Sequence, residues 1–193
     1  LPREGLLSFF YDSEQGVWGF DPAERGAWRV LCTGAEATVT RRATPDEVPD
    51  DARYGAVRLV PTVEVSHTGF ESDEFEALGM SDDEQLAYVE ATEDVDSLAH
   101  RMLGYPDTIQ GDMRFECQLV SHGLYAGDTS AYEGPRASEL KSGSAEWQLL
   151  LQVDSDPDAQ MMWGDGGRLY FWMSEDAIRG RDWESAWMIL QCY

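Results

Sequence analysis

Residues 147–173 read WQLLLQVDSDPDAQMMWGDGGRLYFWM. Two apolar runs, Trp147–Val153 and Leu169–Met173, flank an acidic connector rich in glycine. Both runs have strand length and strand-type residues, and the connector is dense in turn formers. Leu169, Phe171 and Met173 alternate with Tyr170 and Trp172, so both faces of the second run are apolar or aromatic. A strand of that kind belongs in the middle of a core or beneath another layer.

The second run has an echo at the start of the chain. GLLSFFYD (Gly5–Asp12) matches GRLYFWMS (Gly167–Ser174) as glycine, spacer, leucine, spacer, aromatic, aromatic. AWRVL (Ala27–Leu31) begins 22 positions after Gly5, and AWMIL (Ala186–Leu190) begins 19 positions after Gly167. Two matched pairs at near-equal spacing predict an internally duplicated strand–connector–strand unit. The second unit is preceded by LLLQVDSD, a strand that passes through glutamine into acids, whereas only Leu1–Glu4 precede the first. The first unit is therefore expected to lack its partner strand, and the chain is read as one domain, residues 1–193, without its N-terminal segment.

A chain of 193 residues suits one such domain. Its 42% apolar and 11% aromatic content is that of a globular protein. No run approaches the ~20 apolar residues that a membrane-spanning helix needs. Cys32, Cys117 and Cys192 are far apart and odd in number, which suits reduced thiols in a cytoplasmic core, and no Cys/His cluster has zinc-ligand spacing.

Charge is the compositional outlier. The net charge is −23, from 37 acids and 14 basic residues, 13 of them arginine. Residues 46–96 hold 16 acids against two arginines, a net of −14. A surface this negative repels nucleic acid and anionic lipid and favours basic protein partners. A solvated acidic face, or salt adaptation of a whole proteome, produces the same composition.

In chain order, strands are expected at Leu6–Tyr11, Val17–Phe20 and Trp28–Thr33, with turns at Asp12–Gly16 and Asp21–Gly26. Thr38–Arg42 extends the third strand or pairs again, and Thr44–Arg53 is loop. Val57–Ser66 is β-branched, but Pro61 demotes it to an edge or a bulge. Helices come next. Phe75 and Leu78 suggest a short one ended near Gly79. Ser81 and Glu84 form a capping box ahead of QLAYVEA, with Leu86 and Val89 on a thin apolar stripe. Ser97–Leu103 reads as a turn of helix ended by Gly104. Asp112–Gly123 reads as a helix burying Met113, Cys117, Val120 and Leu124, although the alternation of Phe115, Cys117 and Leu119 also allows a strand. Residues 126–145 are expected to be loop, Ser174–Arg179 a short helix, and Trp187–Cys192 the last strand. Strands, then helices, then strands give an α+β fold, mostly antiparallel sheet built from the duplicated unit, with a few helices in the middle of the chain.

No phosphate-binding glycine motif accompanies a strand–helix junction, and Asp165 within GDGG would repel a phosphate. His67, His100 and His122 are scattered, so no catalytic residue is assigned. Asp154, Asp156 and Asp158 alternate, with Asp165 at the twelfth position from Asp154, as in a calcium-binding EF-hand loop. Ala159 stands where that loop requires glycine, Pro157 interrupts it, and strands flank it, so a turn with solvated acids is the plainer reading. No cofactor is expected.

HRMLGYPDTIQGDM (His100–Met113), WQLLLQVDSD (Trp147–Asp156), MWGDGGRLYFW (Met162–Trp172) and LQCY (Leu190–Tyr193) together resemble the bacterial YwqG-like family, a family of unknown function; LPREGLLSFFYD fits that family's first G-x-L-x-F-F unit. The resemblance implies a sheet-rich α+β fold and no established reaction. Two readings follow. In one, the chain is an acidic interaction domain for a basic protein, such as an immunity protein neutralising a toxin. In the other, it is a ligand-binding or enzymatic domain with a site at His100, Tyr105, Gln110, Gln152, Trp163 and Asp165. Oligomeric state is not legible in either.

Overall fold

The computed structural model describes residues 1–70, 72–92 and 100–193. Among these, two antiparallel sheets and five α-helices make an α+β fold. The first sheet pairs β1 (Leu6–Phe10) with β2 (Arg29–Thr33). The second has the order β3 (Trp147–Asp154), β4 (Arg168–Ser174), β5 (Trp187–Gln191). β4 is the central strand, and Leu169–Met173 are all buried, as an aromatic run apolar on both faces requires. Burying each of these large side chains contributes roughly 1.5–3 kcal/mol.

The two matched sequence units adopt the same local design. Each runs strand, connector, one turn of 3-10 helix (Pro22–Glu24; Trp183–Ser185), Ala-Trp, returning strand. The motif glycines have a shared steric reason. A Cβ on Gly5 would stand 2.4 Å from the Thr33 carbonyl oxygen, and one on Gly167 would stand 2.2 Å from that of Gln191. In both units the returning strand's backbone passes where a side chain would begin. Matched residues also meet one another. The Phe9 and Phe171 rings lie edge-on at 5.1 Å, and those of Trp28 and Trp187 at 4.9 Å. Contact between equivalent positions is what an approximate twofold arrangement produces. The registers differ by one residue, since Trp172 faces Trp187 whereas Phe10 faces Arg29, one past Trp28.

The helices follow their caps. Ser72 Oγ accepts the Phe75 N–H and opens α1 (Asp73–Glu76). α2 (Asp82–Thr92) is preceded by Ser81, whose backbone N–H donates to Glu84. α3 (Arg114–Ser121) begins where Asp112 accepts the Arg114 N–H. It buries Met113, Cys117 and Val120, which settles the helix-or-strand alternative in favour of helix. α5 (Glu175–Gly180) is capped by Ser174.

Several expectations are corrected. Val17–Phe20 is not a strand: its one backbone–backbone bond to β5 is Leu190 N–H to Trp18 O at 3.0 Å, and Gly19, at φ +90°, turns the chain. Thr38–Arg42 is coil. Val57–Ser66 has no regular secondary structure and, among the described residues, pairs with no strand. On α2, Leu86 faces solvent, and the half-buried stripe is Gln85, Tyr88, Val89 and Thr92, rotated so that Tyr88 packs on Phe75 at 5.0 Å. Residues 126–145 are not a loop throughout. They contain α4 (Pro135–Leu140) and 3-10 turns at Thr129–Tyr132 and Lys141–Glu146. Pro135 opens α4 after Gly134, and Ala137 and Leu140 supply the buried side that composition alone concealed. The turn of helix expected at Ser97–Leu103 lies partly outside the described residues. Its described part is not helical, because Arg101 bridges to Gln152 and Leu103 has φ +64°.

Candidate functional site

One face of the three-stranded sheet grips the loop that leads into α3. Register places Gln152 of β3 opposite Tyr170 of β4, and Arg168 of β4 opposite Gln191 of β5. Gln152 accepts the Asp107 N–H at 2.9 Å and donates to the Asp107 carboxylate at 3.1 Å. Tyr170 donates its hydroxyl to the Asp107 carbonyl at 2.6 Å, and Arg168 donates to the same oxygen at 3.0 Å. Gln191 accepts the N–H groups of Ile109 and Gln110, both at 3.0 Å, and donates to the Gly111 carbonyl at 3.1 Å. A loop against a buried sheet face needs partners for its backbone, and an amide side chain supplies donor and acceptor together. Arg101 closes the loop with an ion pair to Asp107 at 2.8 Å, and its backbone pairs with Gln152 at 3.0 and 2.7 Å.

These contacts fix the roles of the residues singled out above. Tyr105, Gln110 and Gln152 are brought to this loop, whereas His100 contacts the end of β3 and the connector that follows it. His100 Nδ1 accepts the Asp154 N–H at 3.1 Å, so its proton sits on Nε2, 3.4 Å from the Asp156 carboxylate. Tyr105 gives its carbonyl to Arg101 and its N–H to Ser66 Oγ. Gln110 contributes a backbone N–H while the residue is exposed. Trp163 and Asp165 lie apart from these, in the β3–β4 connector. The Trp163 ring is buried between Tyr11 and Tyr54, at 5.9 and 5.3 Å. Asp165 is exposed, and its carbonyl accepts the Tyr193 N–H at 3.3 Å.

The alternating acids beside it have separate tasks. Asp154 pairs with Arg168 at 3.1 Å. Asp156 accepts the N–H groups of Asp158 and Ala159 and faces His100. Burial pushes the Asp156 pKa up, but those N–H donors and the histidine outweigh it and hold the carboxyl below its ordinary value. Asp158 is exposed. Among the described residues no group of three or more His, Cys, Asp or Glu side chains is placed to hold a metal ion.

Reasoning from sequence passed over Gln191, Tyr170 and Arg168. One signal was available: Gln152 and Gln191 each follow an apolar strand run, LLLQ and MILQ. Glu116 was passed over too. It stands three residues after Met113, on the buried side of α3, and its Oε1 has no hydrogen-bond partner among the described residues. Burial pushes its pKa up to about 8. At neutral pH it is mostly the uncharged acid, and its neighbour Cys117, wholly buried, is held as the thiol.

A different surface lies between Gly55 and Tyr105. The run AVRLVPTVEVS (Ala56–Ser66) is tied at both ends. The Gly55 N–H bonds the Ala159 carbonyl at 2.8 Å, Glu64 pairs with Arg101 at 3.0 Å, and Ser66 Oγ accepts the Tyr105 N–H at 2.9 Å. Between the ties the chain is open. Val60, Val63 and Val65 are 81%, 104% and 84% exposed, and among the described residues 56–67 make no backbone–backbone hydrogen bond.

No helix among the described residues is long and apolar enough to cross a membrane. No curated protein matches the chain. A family model described as a domain of unknown function (DUF1963) matches residues 1–192, and the chain belongs to that family.

Proposed function

We propose that the protein is an acidic interaction domain that captures a basic protein partner, with Val57–Val65 as the apolar part of the contact. The observation that carries this reading is the valine run just described. A β-branched segment held at its ends, with unpaired backbone and exposed valines, has the form that an added strand recognises. Such segments are normally covered or blunted by charge. Here the run lies within the stretch of net −14, so acids surround it in sequence and select a basic partner. Charge steers the encounter, and the valines supply the buried area that holds it. An immunity-type protein bound to a cationic toxin is one form of this reading.

The test is capture of basic proteins from the source organism at low and high salt, by the native chain and by the double variant Val60→Asp, Val63→Asp. Capture that weakens at least tenfold with salt and is lost in the variant, at unchanged melting temperature, is the expected result. Salt-indifferent capture, or capture retained by the variant, would refute the proposal.

A further inference from the structure

A second apolar surface lies between α1 and α2, within the acidic stretch. The Leu78 and Gly79 N–H groups bond the carbonyls of Phe75 and Glu76, both at 3.1 Å, and close the turn that ends α1. Gln85 of α2 reaches back to donate to the Met80 carbonyl at 3.0 Å and ties α2 to that turn. Phe70, Phe75, Glu76, Met80 and Gln85 thereby line a cleft of about 280 Å³. Phe75 is buried against Tyr88, whose hydroxyl donates to the Thr68 carbonyl at 2.9 Å. Phe70 meets Phe75 edge-on at 5.8 Å and is 55% exposed, so the cleft has a fixed apolar floor and an aromatic wall open to a partner. Small-molecule pockets begin at roughly 300 Å³ and enclose most of their ligand. A smaller, open apolar cleft is the form that receives one anchoring side chain of a protein partner.

The surroundings select the charge beside that side chain. Residues 73–92 hold seven acids and no lysine or arginine. Glu74 is paired with Arg114. The other six, Asp73, Glu76, Asp82, Asp83, Glu84 and Glu90, are exposed and have no ion pair among the described residues. Glu76 is itself part of the lining. Carboxylates without partners beside an apolar cleft attract an apolar side chain that has lysine or arginine next to it, and repel the same side chain set among acids.

We infer that the cleft between α1 and α2 seats a leucine-like side chain of the basic partner, flanked by lysine or arginine on the partner's own chain. The inference rests on the reading of the chain as an interaction domain for basic proteins, and it adds a contact outside the valine run.

Three peptides of one length test it: acetyl-KRLRK-amide, acetyl-KRARK-amide and acetyl-EDLDE-amide, titrated into the full 15N-labelled chain. Saturable binding of the first, with amide shifts centred on Phe75–Gln85, at least fivefold tighter than the second and absent for the third, is expected. Phe70→Ser, a change at an exposed position, removes the preference for leucine over alanine. Glu76→Lys weakens both basic peptides severalfold. Val60→Asp, Val63→Asp leaves the leucine preference in place, so failure of the valine contact and failure of the cleft give different results. Equal affinity for the leucine and alanine peptides, shifts spread evenly over the acidic surface, a leucine preference lost in the valine variant, or no saturation would overturn the assignment.

Discussion

The two matched units share a sequence pattern and differ in what surrounds them. β4 has a strand on each edge and cover on both faces, so every residue from Leu169 to Met173 is buried. β1 pairs only with β2 among the described residues, and Leu6 and Phe10 are each 51% exposed. Only the inner face of the first ribbon reaches the core, through Phe9 against Phe171 and Val30. One motif thus makes a central strand in one place and an edge strand in another. A glycine met by a partner carbonyl, followed by alternating apolar residues, determines that a strand forms; how many neighbours it has is set by the rest of the molecule.

The comparison breaks first at its matched phenylalanines. Phe171→Ala empties a buried site and is expected to cost about 3–5 kcal/mol, whereas Phe9→Ala, at a half-buried site, costs about half as much. Urea unfolding of the two variants measures the difference; equal costs would mean that both units are buried alike.

Gln191→Leu sharpens it next, because only the second unit uses a strand amide to hold a loop. Two backbone N–H groups and one carbonyl lose their partner, at about 2–4 kcal/mol. Amide exchange at Ile109 and Gln110 should accelerate before the rest of the sheet does. Uniform acceleration would show that the loop has no stability of its own to lose.

Glu116 gives the second region a pH signature, through α3, which packs on β3 and β5. Its folded pKa of about 8 lies above its ordinary value of 4.5, so the folded state keeps a proton that the unfolded state releases. Its contribution is therefore complete below pH 4.5 and is lost as pH rises through 8. Glu116→Gln, neutral throughout, should leave stability at pH 5 little changed and raise it by roughly 2–4 kcal/mol at pH 8. Thermal melts across that range check the sign; parallel curves for the two proteins would contradict it.

The smallest effect belongs to the exposed face of the first unit. Leu6→Thr and Leu31→Thr should each change stability by about 0.5 kcal/mol or less. A larger loss would show that this face is covered in solution.

The strands of both units, the helix at Arg114–Ser121 and the serine caps were legible because each rests on local spacing and a local hydrogen bond. The candidate site was legible only in part. Gln152 and His100 stood out in motifs, but Gln191 lies 82 residues from Ile109, and no local pattern records that pairing. Val57–Ser66 failed in the opposite way. Its β-branched residues favour a strand despite Pro61, and among the described residues no sheet edge pairs with it.

By itself the amino-acid order determined that aromatic strands would form twice around crowded glycines, because backbone sterics and side-chain alternation act within a few residues. Tertiary structure alone decided that Gln152, Tyr170 and Gln191 would spend their polar groups on one loop, and that the valine run would stay uncovered. Those outcomes depend on which distant segments share a sheet face, and contacts of that range are chosen by packing, which no short stretch of sequence contains.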